Sequence, residues 1–114
     1  MRALALRTQA PIESGPLRLE ERAVPEPAAA EILVRVSACG VCRTDLHVVE
    51  GELPLVKSPI VPGHQVVGRV ERSGPGASRF QPGERVGIAW LRRTCGACAV
   101  CSSGRENLCE KSEF

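Results

Sequence analysis

Apolar residues along the chain fall into short runs separated by turn formers. Residues 3–6, 17–21, 31–38, 65–73 and 85–89 are rich in Val, Ile and Leu, which predicts five strands. The stretch 31–38 alternates apolar and polar positions in its second half. Residues 65–73 are similarly apolar before the break at Gly74-Pro75-Gly76. Both patterns suit the walls of an antiparallel barrel or sandwich. The Pro-rich run at 24–30 and the turn Gln81-Pro82-Gly83-Glu84 separate strands, and neither is long enough for a domain linker. One short helix is predicted, over residues 43–49, after Gly40 and opening near Thr44 and Asp45, whose side-chain oxygens can cap free amide groups. The class is therefore mainly β, with a single helix and no repeat.

At 114 residues and 43% hydrophobic composition the chain supports one domain at most, with a modest core, so a metal staple is a plausible source of stability. The formal net charge is +2 and the basic residues are scattered, which argues against a nucleic-acid surface. Aromatic residues amount to 3%, with no Tyr, so stacking platforms for single-stranded nucleic acid are missing too. The first residues lack the apolar core of a signal peptide, and no apolar stretch approaches the ~20 residues that cross a bilayer. The expected location is the cytoplasm, with no membrane partner. The last residues, 109–114, do not read as a domain end, which leads to the expectation that the chain is part of a longer one.

Two constellations carry chemistry. Cys95, Cys98, Cys101 and Cys109 stand at C-x2-C-x2-C-x7-C spacing, and four thiolates on such a loop can surround one tetrahedral ion. Disulfides are disfavoured by the close pairs and the reducing compartment. A ferredoxin-type cluster is disfavoured because the fourth Cys is distant and no Pro follows it. Four buried apolar thiols rarely take loop spacing for packing alone. The second constellation is Cys39-Gly40-Val41-Cys42-Arg43-Thr44-Asp45-Leu46-His47, followed by Pro62-Gly63-His64. Cys42 and His64 are soft and borderline ligands, but a catalytic zinc uses three protein ligands, so one is missing from these residues.

These motifs, with Gly51-Glu52-Leu53-Pro54, Pro82-Gly83-Glu84-Arg85-Val86 and the four-cysteine lobe ending in Cys109, resemble the N-terminal part of a zinc-dependent, medium-chain alcohol dehydrogenase. The resemblance spans nearly the whole chain. It implies a GroES-like, partly open β-barrel catalytic domain over residues 1–114, with the nucleotide-binding Rossmann domain absent from this sequence. It further implies that Cys42 and His64 hold a catalytic zinc whose third ligand is a Cys beyond Phe114, and that Cys95, Cys98, Cys101 and Cys109 hold a structural zinc. Thr44 and His47 match a proton relay, Asp45 the carboxylate that orients the zinc-ligating histidine, and Arg43 a position facing the cofactor pyrophosphate. Leu53 and Trp90 match substrate-pocket positions, the indole narrowing the pocket toward small primary alcohols. Gln65 stands where many relatives carry a Glu thought to approach the zinc during ligand exchange. The implied cofactors are zinc and NAD or NADP, the substrate a small alcohol or aldehyde, and the full-length protein a homo-oligomer. The alternative is a non-catalytic, zinc-stabilised GroES-like module for protein assembly.

Ordinary structural roles stand beside each of these. His64 could be a turn histidine, His47 a solvated surface group, and Thr44 and Asp45 helix caps. A sole Trp more often packs than selects substrate. Cys39 reads as a small core residue beside the site. Arg92, Arg93 and Arg105 read as solvated loop charge.

Overall fold

The computed structural model describes residues 1–114. Strand β1 (Arg2–Leu6) pairs antiparallel with β2 (Leu17–Glu21), so that Leu4 faces Leu19 and Leu6 faces Leu17 across the ladder. Strands β3 (Ile32–Gly40), β4 (Gln65–Ser73) and β5 (Arg85–Ile88) form a separate antiparallel sheet in the order β3-β4-β5. Helix α1 (Arg43–Glu50) follows β3 directly, and a single helical turn, α2 (Ala99–Ser102), lies in the cysteine lobe. Short 3-10 turns occupy Ile12–Ser14 and Glu106–Leu108.

Side-chain alternation explains which face of each strand is buried. In β4 only Gly68 and Val70 are buried, and in β5 only Val86, while the intervening Arg69 and Arg85 face solvent. Ala5 and Leu6 complete the core from β1, with Val49 from α1 and Cys109 from the lobe. The loop before β4 is pinned to β1 by a reciprocal backbone pair, Leu6 N–H to Ile60 O at 2.8 Å and Ile60 N–H to Leu6 O at 3.0 Å.

Strand β3 carries register shifts between Leu33 and Val34 and between Val36 and Ala38, and these bulges curve it around β4. Gly68 sits at the crossing. A Cβ there would stand 2.4 Å from the Arg35 carbonyl oxygen and 2.6 Å from Val34 Cγ1, closer than packed atoms can approach. Gly68→Ala is therefore expected to lower stability by about 1–3 kcal/mol, read as a reduced denaturant midpoint at unchanged slope; an unchanged midpoint would show that β3 yields freely.

The surface is larger than the mass requires. A folded monomer of 12.2 kDa should expose about 6,100 Å², whereas this chain exposes 8185 Å². The radius of gyration, 15.6 Å, likewise exceeds the roughly 13 Å typical of this length. The sheets therefore form a partly open β structure and no closed barrel. Apolar side chains that a closed wall would cover, among them Val36, Val41 and Ile88, lie exposed. The same openness corrects the reading of Cys39: it pairs with Val66 in the β3–β4 ladder and its sulfur lies close to Gly63, yet it is exposed rather than part of the core.

Candidate metal centres

The β3–α1 junction and the residue preceding β4 build the first centre. Cys42 is the N-cap of α1, and Asp45, in the first turn, reaches back so that its Oδ2 accepts the Cys42 backbone N–H at 2.9 Å. A carboxylate there also complements the positive end of the helix. The other oxygen, Asp45 Oδ1, lies 3.0 Å from His64 Nδ1, and the far side of the ring, Nε2, lies 3.3 Å from Cys42 Sγ. Asp45 is buried, and Cys42 and His64 are half-buried.

These separations suit a shared ion. Tetrahedral bonds of about 2.3 Å to sulfur and 2.0–2.1 Å to nitrogen place the two ligand atoms about 3.5 Å apart. Both Asp45 oxygens are already engaged, so this carboxylate orients His64 by fixing which nitrogen carries the proton. Cys42 Sγ and His64 Nε2 are the atoms left to face a metal.

Around this pair the structure places the other expected residues unevenly. Trp90 packs on His64, with ring centroids 5.3 Å apart, and remains 43% exposed. Its other edge meets Phe114 at 5.8 Å in a T-shaped contact, so the indole is a bridge between the centre and the end of the chain. Thr44 is half-buried on α1, and Arg43 is exposed and makes no ion pair. Gln65 pairs with Gly40 at the start of the β3–β4 ladder, with its side chain exposed. Leu53 is tied by its backbone to the last turn of α1, its N–H donating to His47 O at 3.2 Å. His47 has a close neighbour that the sequence reading did not single out: Glu52 Oε2 lies 2.5 Å from Nδ1.

The second centre is the lobe spanning residues 93–113. It is closed at its base by a bridge in which Glu113 N–H donates to Arg93 O at 2.8 Å and Arg92 and Arg93 N–H groups both point to Glu113 O. Cys98 caps the single turn of α2, which brings Cys101 round to the same side, and Cys109 follows the 3-10 turn. The four sulfurs converge: Cys95 to Cys101 is 3.9 Å, Cys98 to Cys101 3.5 Å, Cys98 to Cys109 4.0 Å and Cys95 to Cys109 3.6 Å. Metal–sulfur bonds of 2.3 Å in a tetrahedron give edges of about 3.8 Å. The donor set is thus that of a closed S4 site, and these spacings are nearly twice a disulfide bond.

The arginines at the lobe are solvated, as expected, and each has a partner at the surface. Arg92 pairs with Glu31 at 2.9 Å and Arg93 with Glu113 at 3.9 Å, both at the surface, while Arg105 Nε donates to Ser103 Oγ at 3.1 Å. The Glu31 carboxyl is held below its ordinary range, first by the Ala28 backbone N–H and then by Arg92.

The lobe thiols are electrostatically unequal. Backbone N–H groups of Ala97 and Cys98 aimed at its sulfur lower Cys95 to about 6, whereas desolvation, and then the neighbouring Cys98 thiol, push Cys101 up to about 11. In chain freed of metal under conditions that keep the lobe folded, Cys95 should react with iodoacetamide before Cys101. Peptide mapping reads the order, and equal rates at Cys95 and Cys101 would contradict it.

Comparison with known proteins gives the same assignment. Residues 28–114 match the family model described as the alcohol dehydrogenase GroES-like domain. The chain is 51% identical, over its full length, to the Mycobacterium tuberculosis protein named probable alcohol dehydrogenase AdhA, covering 34% of it. Among solved structures, a cobalt- and zinc-bound thermostable alcohol dehydrogenase from Pyrobaculum aerophilum superposes with a TM-score of 0.87 at 35% identity, over 98% of this chain and 33% of that one. An NAD-dependent alcohol dehydrogenase superposes at 0.85 and 34% identity, over 100% and 33%. The chain thus spans about a third of the length of the curated relatives it matches. Its open β architecture, the cluster at the head of α1 and the four-cysteine lobe therefore have one common explanation: the chain belongs to the alcohol dehydrogenase family, as the GroES-like domain.

Proposed function

We propose that these 114 residues are the N-terminal part of the catalytic domain of a zinc-dependent oxidoreductase that transfers a hydride from a small primary alcohol to NAD+ or NADP+, yielding an aldehyde. The carrying observation is the placement of Cys42, Asp45 and His64 within 4.8 Å of one another at the head of a helix that also presents Thr44 and His47. An assembly module has no need of that grouping.

Cys42 and His64 would hold the catalytic zinc, with a third ligand, by resemblance a Cys, from outside these residues. Cys95, Cys98, Cys101 and Cys109 would hold the structural one. When bound, zinc supplies a Lewis acid that acidifies the alcohol oxygen, and the nicotinamide supplies the hydride acceptor. Asp45 keeps His64 oriented. The Thr44 hydroxyl, both donor and acceptor, would accept the alcohol proton, and His47, whose ring is partly exposed, would release a proton to water at the outer end of the relay. Arg43, with no carboxylate partner, is available for the cofactor pyrophosphate. Trp90 and Leu53 would line the substrate pocket, the indole limiting the room in front of His64. Gln65, neutral and exposed, would leave metal exchange without a carboxylate at that position.

No helix is long and apolar enough to cross a membrane. The cysteines gather as a ligand set rather than as pairs, which supports a reducing compartment, and we place the protein in the cytoplasm as a homo-oligomer without nucleic-acid or membrane partners. The test is full-length protein with 1,1-dideuterated ethanol and NAD+ or NADP+. Deuterium carried to the reduced nicotinamide, and faster turnover of short primary alcohols than of sorbitol, is expected. No reduced cofactor with any alcohol would sink the reading, and equal or better use of sorbitol would overturn the substrate preference.

A further inference from the structure

An α-helix leaves its last four carbonyls without partners inside the helix. In α1 these belong to His47, Val48, Val49 and Glu50, and the segment after β1 supplies two of the missing donors. Ala10 N–H donates to Val49 O at 3.1 Å, and the Gln9 side chain reaches Val48 O, its Nε2 donating at 2.7 Å. The same Nε2 donates to Leu53 O at 2.6 Å. Both partners are carbonyl oxygens, so only the NH2 end of the amide can face them, and its two protons serve one each. Gln9 is half-buried and lies against Gly51, where a Cβ would meet Gln9 Cβ at 3.6 Å; Gly51 takes the left-handed conformation, φ 95°, that turns the chain from the helix toward Leu53. The Leu53 backbone is thereby held on both sides, its N–H by His47 O at 3.2 Å and its carbonyl by Gln9 alone. Residues 54–57 make no backbone hydrogen bond, and the loop is next tied at Ser58, whose Oγ donates to Arg7 O at 2.8 Å.

We propose that Gln9 is a positioning residue that sets substrate preference: by bridging Val48 O and Leu53 O it holds Leu53 at a fixed place relative to the helix that carries Thr44 and His47. The inference rests on the reading of Leu53 as a wall of the substrate pocket. A pocket tells a short alcohol from a longer one only as far as its walls resist displacement, and one methylene is worth about 10–200-fold when they do. With the bridge cut, both carbonyls lose their donor, and Leu53 is carried by a stretch with no further tie until Ser58, so a longer alkyl chain can push it aside. The head of α1 is fixed separately, by Asp45 on the Cys42 N–H and on His64, so the effect falls on substrate choice rather than on the chemical step.

Full-length protein and three variants test it. Gln9→Ala removes the amide, Gln9→Glu keeps its shape but, ionised, offers the two carbonyls no donor, and Gln9→Lys restores N–H donors beside the helix C-terminus. Amide exchange read by mass spectrometry should speed up about 10-fold over residues 51–57 in Gln9→Ala and Gln9→Glu and stay native in Gln9→Lys, with residues 93–113 unchanged in all three. The preference for ethanol over 1-hexanol, as a ratio of kcat/KM values, should fall about 5-fold in the first two variants, through a lower KM for 1-hexanol at native kcat for ethanol, and recover in Gln9→Lys. Native exchange at 51–57 in Gln9→Ala and Gln9→Glu, faster exchange that spreads to 93–113, equal losses on both alcohols, or a Gln9→Lys protein no better than Gln9→Ala overturns the proposal. Faster exchange confined to 51–57 in a protein whose native form oxidises no alcohol would instead overturn the dehydrogenase reading and leave the clamp on Leu53 standing.

Discussion

Cys109→Ser is expected to empty the 95–109 lobe of metal and to destabilise the domain more than any surface substitution. Cys109 is the one buried thiol of the four, lying 4.0 Å from Cys98 and 3.6 Å from Cys95, so its loss removes one of the four donors and opens the sulfur tetrahedron. Structural zinc contributes an apparent binding free energy on the order of 10–16 kcal/mol in zinc-finger peptides, which is comparable to the entire stability of about 5–15 kcal/mol of a typical domain. Few other contacts can compensate, because the lobe contains one helical turn, one 3-10 turn and a two-residue bridge at its base. Even a net loss of about 3 kcal/mol moves the thermal midpoint by on the order of 10 °C or more. Calorimetry with and without a strong chelator checks it. A midpoint unchanged by the substitution and by chelation would mean that the lobe folds without metal.

Asp45→Asn is expected to weaken metal binding at Cys42 and His64 by about 10–100-fold while leaving the lobe loaded. The native carboxylate makes two bonds that need an acceptor on each oxygen, one to the Cys42 N–H and one to His64 Nδ1. An amide offers one acceptor and one NH2 group, so one of these bonds becomes a donor facing a donor, and the orphaned partner costs ~1–3 kcal/mol. Competition against a chromogenic chelator, run on the native and variant proteins, separates the weak centre from the tight one. Equal affinity of the native and variant proteins at the Cys42–His64 centre would show that Asp45 only caps the helix.

The strands were legible where local apolar pattern and pairing agree, as over residues 17–21 and 65–73, which the structure keeps without change. The strand read at 31–38 continues to Gly40 because its pairing with β4 passes through two register shifts, and a bulge leaves no mark in an alternation pattern. The turn of α2 was hidden because four residues that follow one cysteine and contain the next look like loop until a common centre pulls the sulfurs to one side. Metal ligands were the easiest part of the candidate site, since thiolates and imidazoles at such spacings have few other uses. The contacts made by the residues around them were harder to read. Glu52 reaches His47 only through the left-handed turn at Gly51, and Phe114 meets Trp90 across a separation in sequence that no spacing rule covers. Cys39 was misread for the same reason in reverse: a small thiol in a strand normally packs inward, but here the face it occupies is left open.

The most direct test of the account is the metal content of purified full-length protein, measured for zinc, iron and acid-labile sulfide before and after mild chelation. Two zinc ions per chain are predicted, one lost readily from Cys42 and His64 and one retained by Cys95, Cys98, Cys101 and Cys109 until that lobe is broken by Cys109→Ser. Iron with sulfide, or no metal at all, would contradict it.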